Sequence, residues 1–210
     1  MTTRTIARRA ALAGGALIAA LALTACGSAD HTSSGHETPP ASTSGAPASG
    51  AATFGDADVM FAQMMIPHHR QAVEMAELAG SRAADAEVKR LAVQIKGAQG
   101  PEIATMTGWL TGWGRPVPSS DGPGHGMPGM DHGMPGMMSD ADMTRLAGAT
   151  GSEFDRQFLT MMIAHHEGAI TMAKEELAKG THAEAKAMAQ GIVTAQQGEI
   201  DAMNKILARL

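Results

Sequence analysis

Two Met-Met-x-x-His-His signatures carry the clearest chemistry in this chain: Met64-Met65-Ile-Pro-His68-His69 and Met161-Met162-Ile-Ala-His165-His166. On a helix, side chains four residues apart are neighbours, whereas adjacent ones diverge. Met64–His68, Met65–His69, Met161–His165 and Met162–His166 therefore each write a thioether–imidazole pair onto one helical face. Such pairs suit copper, with the thioether favouring Cu(I) over harder metals and imidazole also accepting Cu(II). The competing account is packing, because Met fills irregular core gaps. It fits four His poorly, since a buried polar group without a partner costs about 1–3 kcal/mol and Leu would fill the same space.

A second concentration of ligands is His125-Gly-Met127-Pro-Gly-Met130-Asp-His132-Gly-Met134-Pro-Gly-Met137-Met138. The phrase Met-Pro-Gly-Met occurs twice, each time after His-Gly. Five Met and two His in a stretch this rich in Gly and Pro have no core to fill. The segment is expected to bind Cu(I) through clustered thioethers, which stay neutral at any pH but are open to oxidation. A linker of merely biased composition is the alternative.

The elements that position these residues follow from an internal repeat. Asp58 to Ala76 lies over Asp155 to Ala173 without a gap, at an offset of 97 residues. The same offset carries Ile95, Ala98, Gln99, Glu102, Ile103, Met106 and Leu110 onto Ile192, Ala195, Gln196, Glu199, Ile200, Met203 and Leu207. One register serving both halves of each copy argues for a duplicated helical hairpin. Helices are expected over about Asp56–Ala79, Ala84–Leu110, Ser152–Ala178 and Ala183–Leu210, with Gly80-Ser81 and Gly180 as stops. Pro67 and Pro101 fall inside helices and should kink them. The second copy has Ala164 and Gly198 there, so the halves should not match perfectly. Short turns make each hairpin antiparallel, which predicts an all-α, ferritin-like four-helix bundle.

At 100° per residue, Phe61, Met65, His68, Ala72, Met75 and Ala79 form one stripe, with Met64 and His69 at its flanks. Phe158, Met162, His165, Ala169 and Met172 repeat it. The His pairs thus straddle the face meant for burial. Glu102–Met106 and Glu199–Met203 are further i,i+4 pairs. Their carboxylates could orient the imidazoles or simply face solvent.

Outside the bundle, residues 1–25 read as an export leader: Arg4, Arg8 and Arg9 precede an apolar run from Ala10 to Leu23. The run is shorter than the roughly 20 residues that span a bilayer. Leu23-Thr-Ala-Cys26 resembles a bacterial lipobox, with cleavage before Cys26 and lipidation of its thiol; the twin arginines leave the export route open. Cys26 is the only cysteine, so a lipidated chain keeps no thiolate ligand. Residues 26–53 are rich in Ser, Thr, Gly, Ala and Pro and read as a tether. The bundle then occupies 54–210, with repeats 54–114 and 151–210 joined by the Met/His-rich connection 115–141, expected to run over the bundle surface. With 17 Met, no Tyr and a net charge of −5, the chain leans helical and away from nucleic acid.

The repeated Asp-x-x-Phe-x-x-Met-Met-Ile-x-His-His-x-x-Ala-x-x-Met, with the later Gln-x-x-Glu-Ile-x-x-Met, resembles the family catalogued as domain of unknown function 305. The resemblance covers residues 54 to 210. It implies a ferritin-like four-helix fold, export, and copper binding tied to copper tolerance in bacteria. The motif residues are Met64, Met65, His68, His69 and Met75, with Met161, Met162, His165, His166 and Met172. Pro101 interrupts the Gln-x-x-Glu-Ile stretch, so no role is carried onto Gln99 and Glu102.

Three functions compete at this level. The first is an extracytoplasmic copper-binding lipoprotein that scavenges, buffers or delivers the metal, exchanging it with a copper transporter or another cuproprotein. The second is a di-metal oxidase on the same fold. Di-iron bundles use Glu-x-x-His motifs, which this sequence lacks, and Glu167 beside His166 falls on the solvent face. The third is a structural lipoprotein that binds a partner protein, which leaves the Met–His pairing without a purpose. Copper binding without catalysis is the expectation.

Overall fold

The computed structural model describes residues 53–119 and 134–210, whose regular secondary structure is helix, with one isolated bridge between Ala83 and Gly151. Four long helices form the antiparallel bundle: α1 Asp56–Arg82, α2 Ala86–Gly112, α4 Gly151–Lys179 and α5 Ala183–Leu207. A short helix, α3 Asp140–Gly148, precedes α4 and is an element the sequence reading did not include. Its start is a capping box, with the Ser139 hydroxyl accepting from Asp142 N–H and the Asp142 carboxylate accepting from Ser139 N–H.

The expected helix boundaries move by up to three residues. The first helix runs through Gly80-Ser81 to Arg82, and α5 ends at Leu207 rather than Leu210. Pro67 and Pro101 both lie inside unbroken helices. An interior Pro removes one backbone donor, and the packing of the flanking turns holds each helix together across that gap.

α1 packs on both α2 and α4, and α4 packs on α5. Burial falls into two apolar clusters. One gathers Met75, Ala79, Ile95, Phe154, Phe158 and Met162, with Met203 from the end of α5. The other gathers Phe61, Met65, Ile66, Met106, Met172 and Ile192. The C-terminal half of α1 thus meets the N-terminal half of α4, and the reverse holds in the second cluster. Each fully buried Phe or Met contributes about 1.5–3 kcal/mol. Between the clusters, at the crossing of α1 and α4, lie the four histidines of the repeat.

The repeat's leading aspartates tie the two copies together reciprocally. Asp58 on α1 is buried and accepts from the backbone N–H groups of Thr181 (3.0 Å) and His182 (2.8 Å), at the turn of the other copy. Asp155 on α4 is equally buried and accepts from Ala84 N–H (3.1 Å) and Asp85 N–H (2.9 Å). Each hairpin turn is therefore held by the opposite copy. Asp85 then caps α2 through Glu87 and Val88 N–H, and the equivalent His182 caps α5 by accepting from Ala185 N–H through Nδ1. His182 packs edge-on against both Trp109 and Trp113, which stack on each other, with Phe54 stacked on Trp113.

Candidate metal centre

His68, His69, His165 and His166 are all buried, as the stripe predicted. Helix rotation places equivalent residues of the two copies in contact: the rings of His68 and His165 have centroids 3.7 Å apart with planes tilted by 37°. The outer pair is held differently. His69 Nε2 donates to Glu102 Oε2 at 2.7 Å, and His166 Nε2 donates to Glu199 Oε2 at 2.6 Å. A carboxylate oxygen accepts, so each ring presents its proton at Nε2 and, when neutral, its lone pair at Nδ1. Glu102 and Glu199 thus orient the imidazoles rather than face bulk solvent. Pro101 does not disturb this, because α2 stays helical and Glu102 makes the same bond as its equivalent Glu199.

The inner pair is asymmetric. His68 Nε2 donates to the carbonyl of Pro135 at 3.0 Å, which leaves its lone pair at Nδ1. Burial, then the charge of neighbouring His69, lowers the His68 pKa to about 3, against a small opposing effect of the Pro135 bond. Burial, then the proximity of His68, His166 and His69, drives the His165 pKa well below its usual value. Both inner rings are neutral at physiological pH.

Among the described residues, Nδ1 of all four histidines and Nε2 of His165 are buried without a hydrogen-bond partner. The amide of Gln99 and the carbonyl oxygen of its equivalent Gln196 share that condition, one turn before Glu102 and Glu199. Such groups cost about 1–3 kcal/mol each when orphaned, so the layer is chemically unsatisfied as it stands. Imidazoles with a buried, unpartnered Nδ1, backed by carboxylates on the opposite nitrogen, are how metal-binding histidines are normally oriented. The donor set therefore fits a metal that accepts imidazole. No three His, Cys, Asp or Glu side chains among the described residues converge in ligating geometry.

The methionines divide. Met65, Met75, Met162 and Met172 are buried in the two apolar clusters, Met75 with Met162 and Met65 with Met172. Met64 and Met161 are half-buried and pack against these clusters. Of the connecting segment, Met134, Met137 and Met138 are half-buried close to the layer. There the backbone of Pro135 meets His68 and the backbone of Met138 pairs with Gln71. The described C-terminal end of the connection thus runs over the bundle surface, with Pro135 exposed and its neighbours half-buried. His125, Met127, Met130 and His132, together with the leader, Cys26 and most of the tether, lie outside the described residues.

The sequence reading missed three functional-looking groups. Asp58 and Asp155 were visible as the first letter of the repeat but had no assigned contact. His182 was hidden because only the fold brings Trp109 and Trp113 to it. Glu176 is buried on α4 where the first copy has Ala79. Burial, then the neighbouring Asp58, raises the Glu176 pKa to about 8. Burial acts to raise Asp58 too, but hydrogen bonds from the Gly55 and His182 backbone, Glu176 and Thr181 hold it at about 2.

Similar proteins share this architecture. A DUF305 protein from Streptomyces coelicolor, assigned as secreted, is 40% identical with a TM-score of 0.65, over 73% of this chain and 93% of that one. A DUF305 fragment from Deinococcus radiodurans is 33% identical with a TM-score of 0.65, over 74% and 98%. CopM in its Cu(II)-bound form is 35% identical with a TM-score of 0.62, over 72% and 96%. CopM has also been solved with Cu(I) and with silver. No curated protein matches. The family model for the domain of unknown function DUF305 matches residues 58–207, which span both copies of the repeat, and the chain belongs to that family.

Proposed function

We propose that this protein binds copper in the histidine layer between the two apolar clusters and in the Met/His-rich segment 125–138, and that it stores or hands on the metal outside the cytoplasmic membrane. One observation carries the reading: five buried ring nitrogens without partners, two of them on imidazoles fixed by Glu102 and Glu199. The copper- and silver-bound forms of CopM, about a third identical to this chain, support the choice of metal. Imidazole admits both copper oxidation states and thioether favours Cu(I). Binding rather than catalysis is the role, with a copper transporter or cuproprotein as exchange partner.

The anchoring lipid would be carried by Cys26 at the end of the leader, and no helix of the described residues is long and apolar enough to cross a membrane. Changing Cys26 to Ser should abolish lipid labelling and membrane retention; unchanged retention would remove the anchor from the reading.

The decisive measurement is Cu(I) and Cu(II) titration of the wild type against His68→Ala/His69→Ala and His165→Ala/His166→Ala, with segment 125–138 deleted in each. Ligation predicts that both double variants lose affinity, and that copper raises the melting temperature of the parent, because a ligand of the folded state stabilises by RT ln(1 + [L]/Kd). Unaltered uptake with lowered stability would make the histidines core residues. Turnover of a reductant with dioxygen by the loaded protein would favour the di-metal oxidase instead.

A further inference from the structure

Met137 N–H donates to the Met134 carbonyl at 3.1 Å, and Gly136 has φ +78°. Pro at the second position and a positive-φ Gly at the third make Met134 to Met137 a type II turn. The polar side chains that hold this turn, His68 and Gln71, both belong to α1 and the first copy. His68 Nε2 donates to the Pro135 carbonyl at 3.0 Å. Gln71 grips the residue after the turn twice: its amide nitrogen donates to the Met138 carbonyl (2.9 Å), and its amide oxygen accepts from Met138 N–H (2.8 Å).

The second copy contributes room instead. The backbone of Pro135 and Gly136 lies directly against Gly168 of α4, where a Cβ would collide with the Pro135 carbonyl. Gln71 and Gly168 occupy the same position of the repeat, 97 residues apart. The copies thus diverge where the turn docks. One has the side chain that grips it, and the other lacks any side chain that would exclude it.

The bond to Pro135 decides which nitrogen of His68 can take a metal. A carbonyl only accepts, so Nε2 carries the proton of the neutral ring and the lone pair lies at Nδ1, the buried nitrogen without a partner. Glu102 and Glu199 do the same for His69 and His166. Metal-binding imidazoles are oriented by a backbone carbonyl as well as by a carboxylate. Of the four rings, only His165 has neither nitrogen partnered. Three tautomers in the layer are therefore set, and one is free.

We propose that Gln71 is a positioning residue for metal binding at His68. By clamping Met138 it keeps the Pro135 carbonyl on Nε2, which holds the ring with Nδ1 as its lone pair, and the turn stays in place with metal bound. This rests on the reading that the layer binds copper. It adds that the Met/His-rich connection serves the layer through its backbone, and that the two copies are unequal: His68 is preorganised and His165 is not.

The test is nitrogen-15 NMR of the histidine rings in the full chain, which distinguishes protonated, lone-pair and metal-bound nitrogens, with Ag(I) as a redox-silent probe. In the metal-free wild type, His68 should carry its proton at Nε2 and none at Nδ1. Gln71→Ala and Gly168→Ala should each turn His68 into a mixture of tautomers while His69 and His166 keep theirs. Gly168→Ala favours the helix it lies in, so a change there reports the displaced turn and not a loosened α4. Ag(I) should move the Nδ1 signal of wild-type His68 and leave Nε2 protonated. In both variants the silver concentration needed should rise about 10–100-fold, the usual effect of removing such a partner. An unchanged tautomer in both variants would overturn the clamp. A changed tautomer with an unchanged silver response, or loss of the Nε2 proton on silver binding, would overturn positioning at His68. If Ag(I) moves no ring nitrogen of the four histidines in the wild type, the copper reading of the layer fails and the positioning role with it. The metal-free tautomers then decide the clamp by themselves.

Discussion

His68 and His165 touch across the two copies, centroid to centroid at 3.7 Å. Residues equivalent under a two-fold can meet each other only at its axis, so this contact marks the pseudo-two-fold of the bundle. The axis is thus occupied by two buried, neutral imidazoles, flanked outward by His69 with Glu102 and His166 with Glu199.

Acid should destabilise the metal-free protein through this pair. Both inner histidines have folded pKa values below the ordinary 6.5, about 3 for His68 and well below for His165. The unfolded chain therefore binds more protons once the pH falls under about 6.5, and stability present above that value is lost toward pH 3. Each such group contributes up to about 1.4 kcal/mol per pH unit within the window. Urea unfolding from pH 7 to 4 should show the decline, and His68→Leu/His165→Leu should flatten it.

Glu176 predicts the opposite slope on the alkaline side. Its folded pKa, raised to about 8, means that the folded state holds a proton that the unfolded chain has released. Stability is then fully present below about pH 4.5 and is lost as pH rises to 8. Glu176→Gln keeps the shape and removes the titration, so it should gain about 1 kcal/mol or more at pH 8. Chemical denaturation at pH 5 and pH 8 checks this: the variant and wild type should differ more at the higher pH.

The reciprocal aspartates should be stability hot spots. Asp58→Ala and Asp155→Ala each strand backbone N–H groups at the opposite copy's hairpin turn, which should cost about 2–4 kcal/mol. Equilibrium unfolding measures the loss, and hydrogen exchange should localise the loosening to residues 181–182 for Asp58→Ala and 84–85 for Asp155→Ala. Loosening confined to the mutated copy would contradict the crossed arrangement.

Glu102→Gln and Glu199→Gln address the outer histidines. If these carboxylates orient metal-binding imidazoles, each change should lower copper affinity by about 10–100-fold while the helices remain folded. Competition against a colorimetric Cu(I) chelator gives the affinities, and circular dichroism confirms the fold. Matching losses at Glu102 and Glu199 are expected, because the two bonds are equivalent at 2.7 and 2.6 Å.

Much of this architecture was legible beforehand because it depends on local periodicity. The ungapped repeat and the 3.6-residue stripe are enough to specify helices with His68, His69, His165 and His166 inward, and burial of these four follows. The capping box at Ser139 was equally readable, yet residues 142–150, between the connection and the second repeat, were assigned no element, and α3 was missed. Pro101 hid the role of Glu102 for a related reason: it removes one backbone donor, yet α2 continues through it and Glu102 makes the same bond as Glu199.

What the sequence by itself determined is which residues share a helical face, since spacing along one helix fixes that without reference to any other element. It could not determine which faces meet, because the rotation and crossing of α1, α2, α4 and α5 are set by the packing of whole clusters. Only the tertiary structure therefore brought His68 against His165, set Glu102 and Glu199 behind His69 and His166, crossed Asp58 and Asp155 between copies, and laid the Pro135 carbonyl on His68. The turn Met134–Met137 shows the division most sharply. Met-Pro-Gly-Met specifies its turn locally, but its seat exists only because α1 and α4 pack side by side, with Gln71 on one helix and Gly168 on the other.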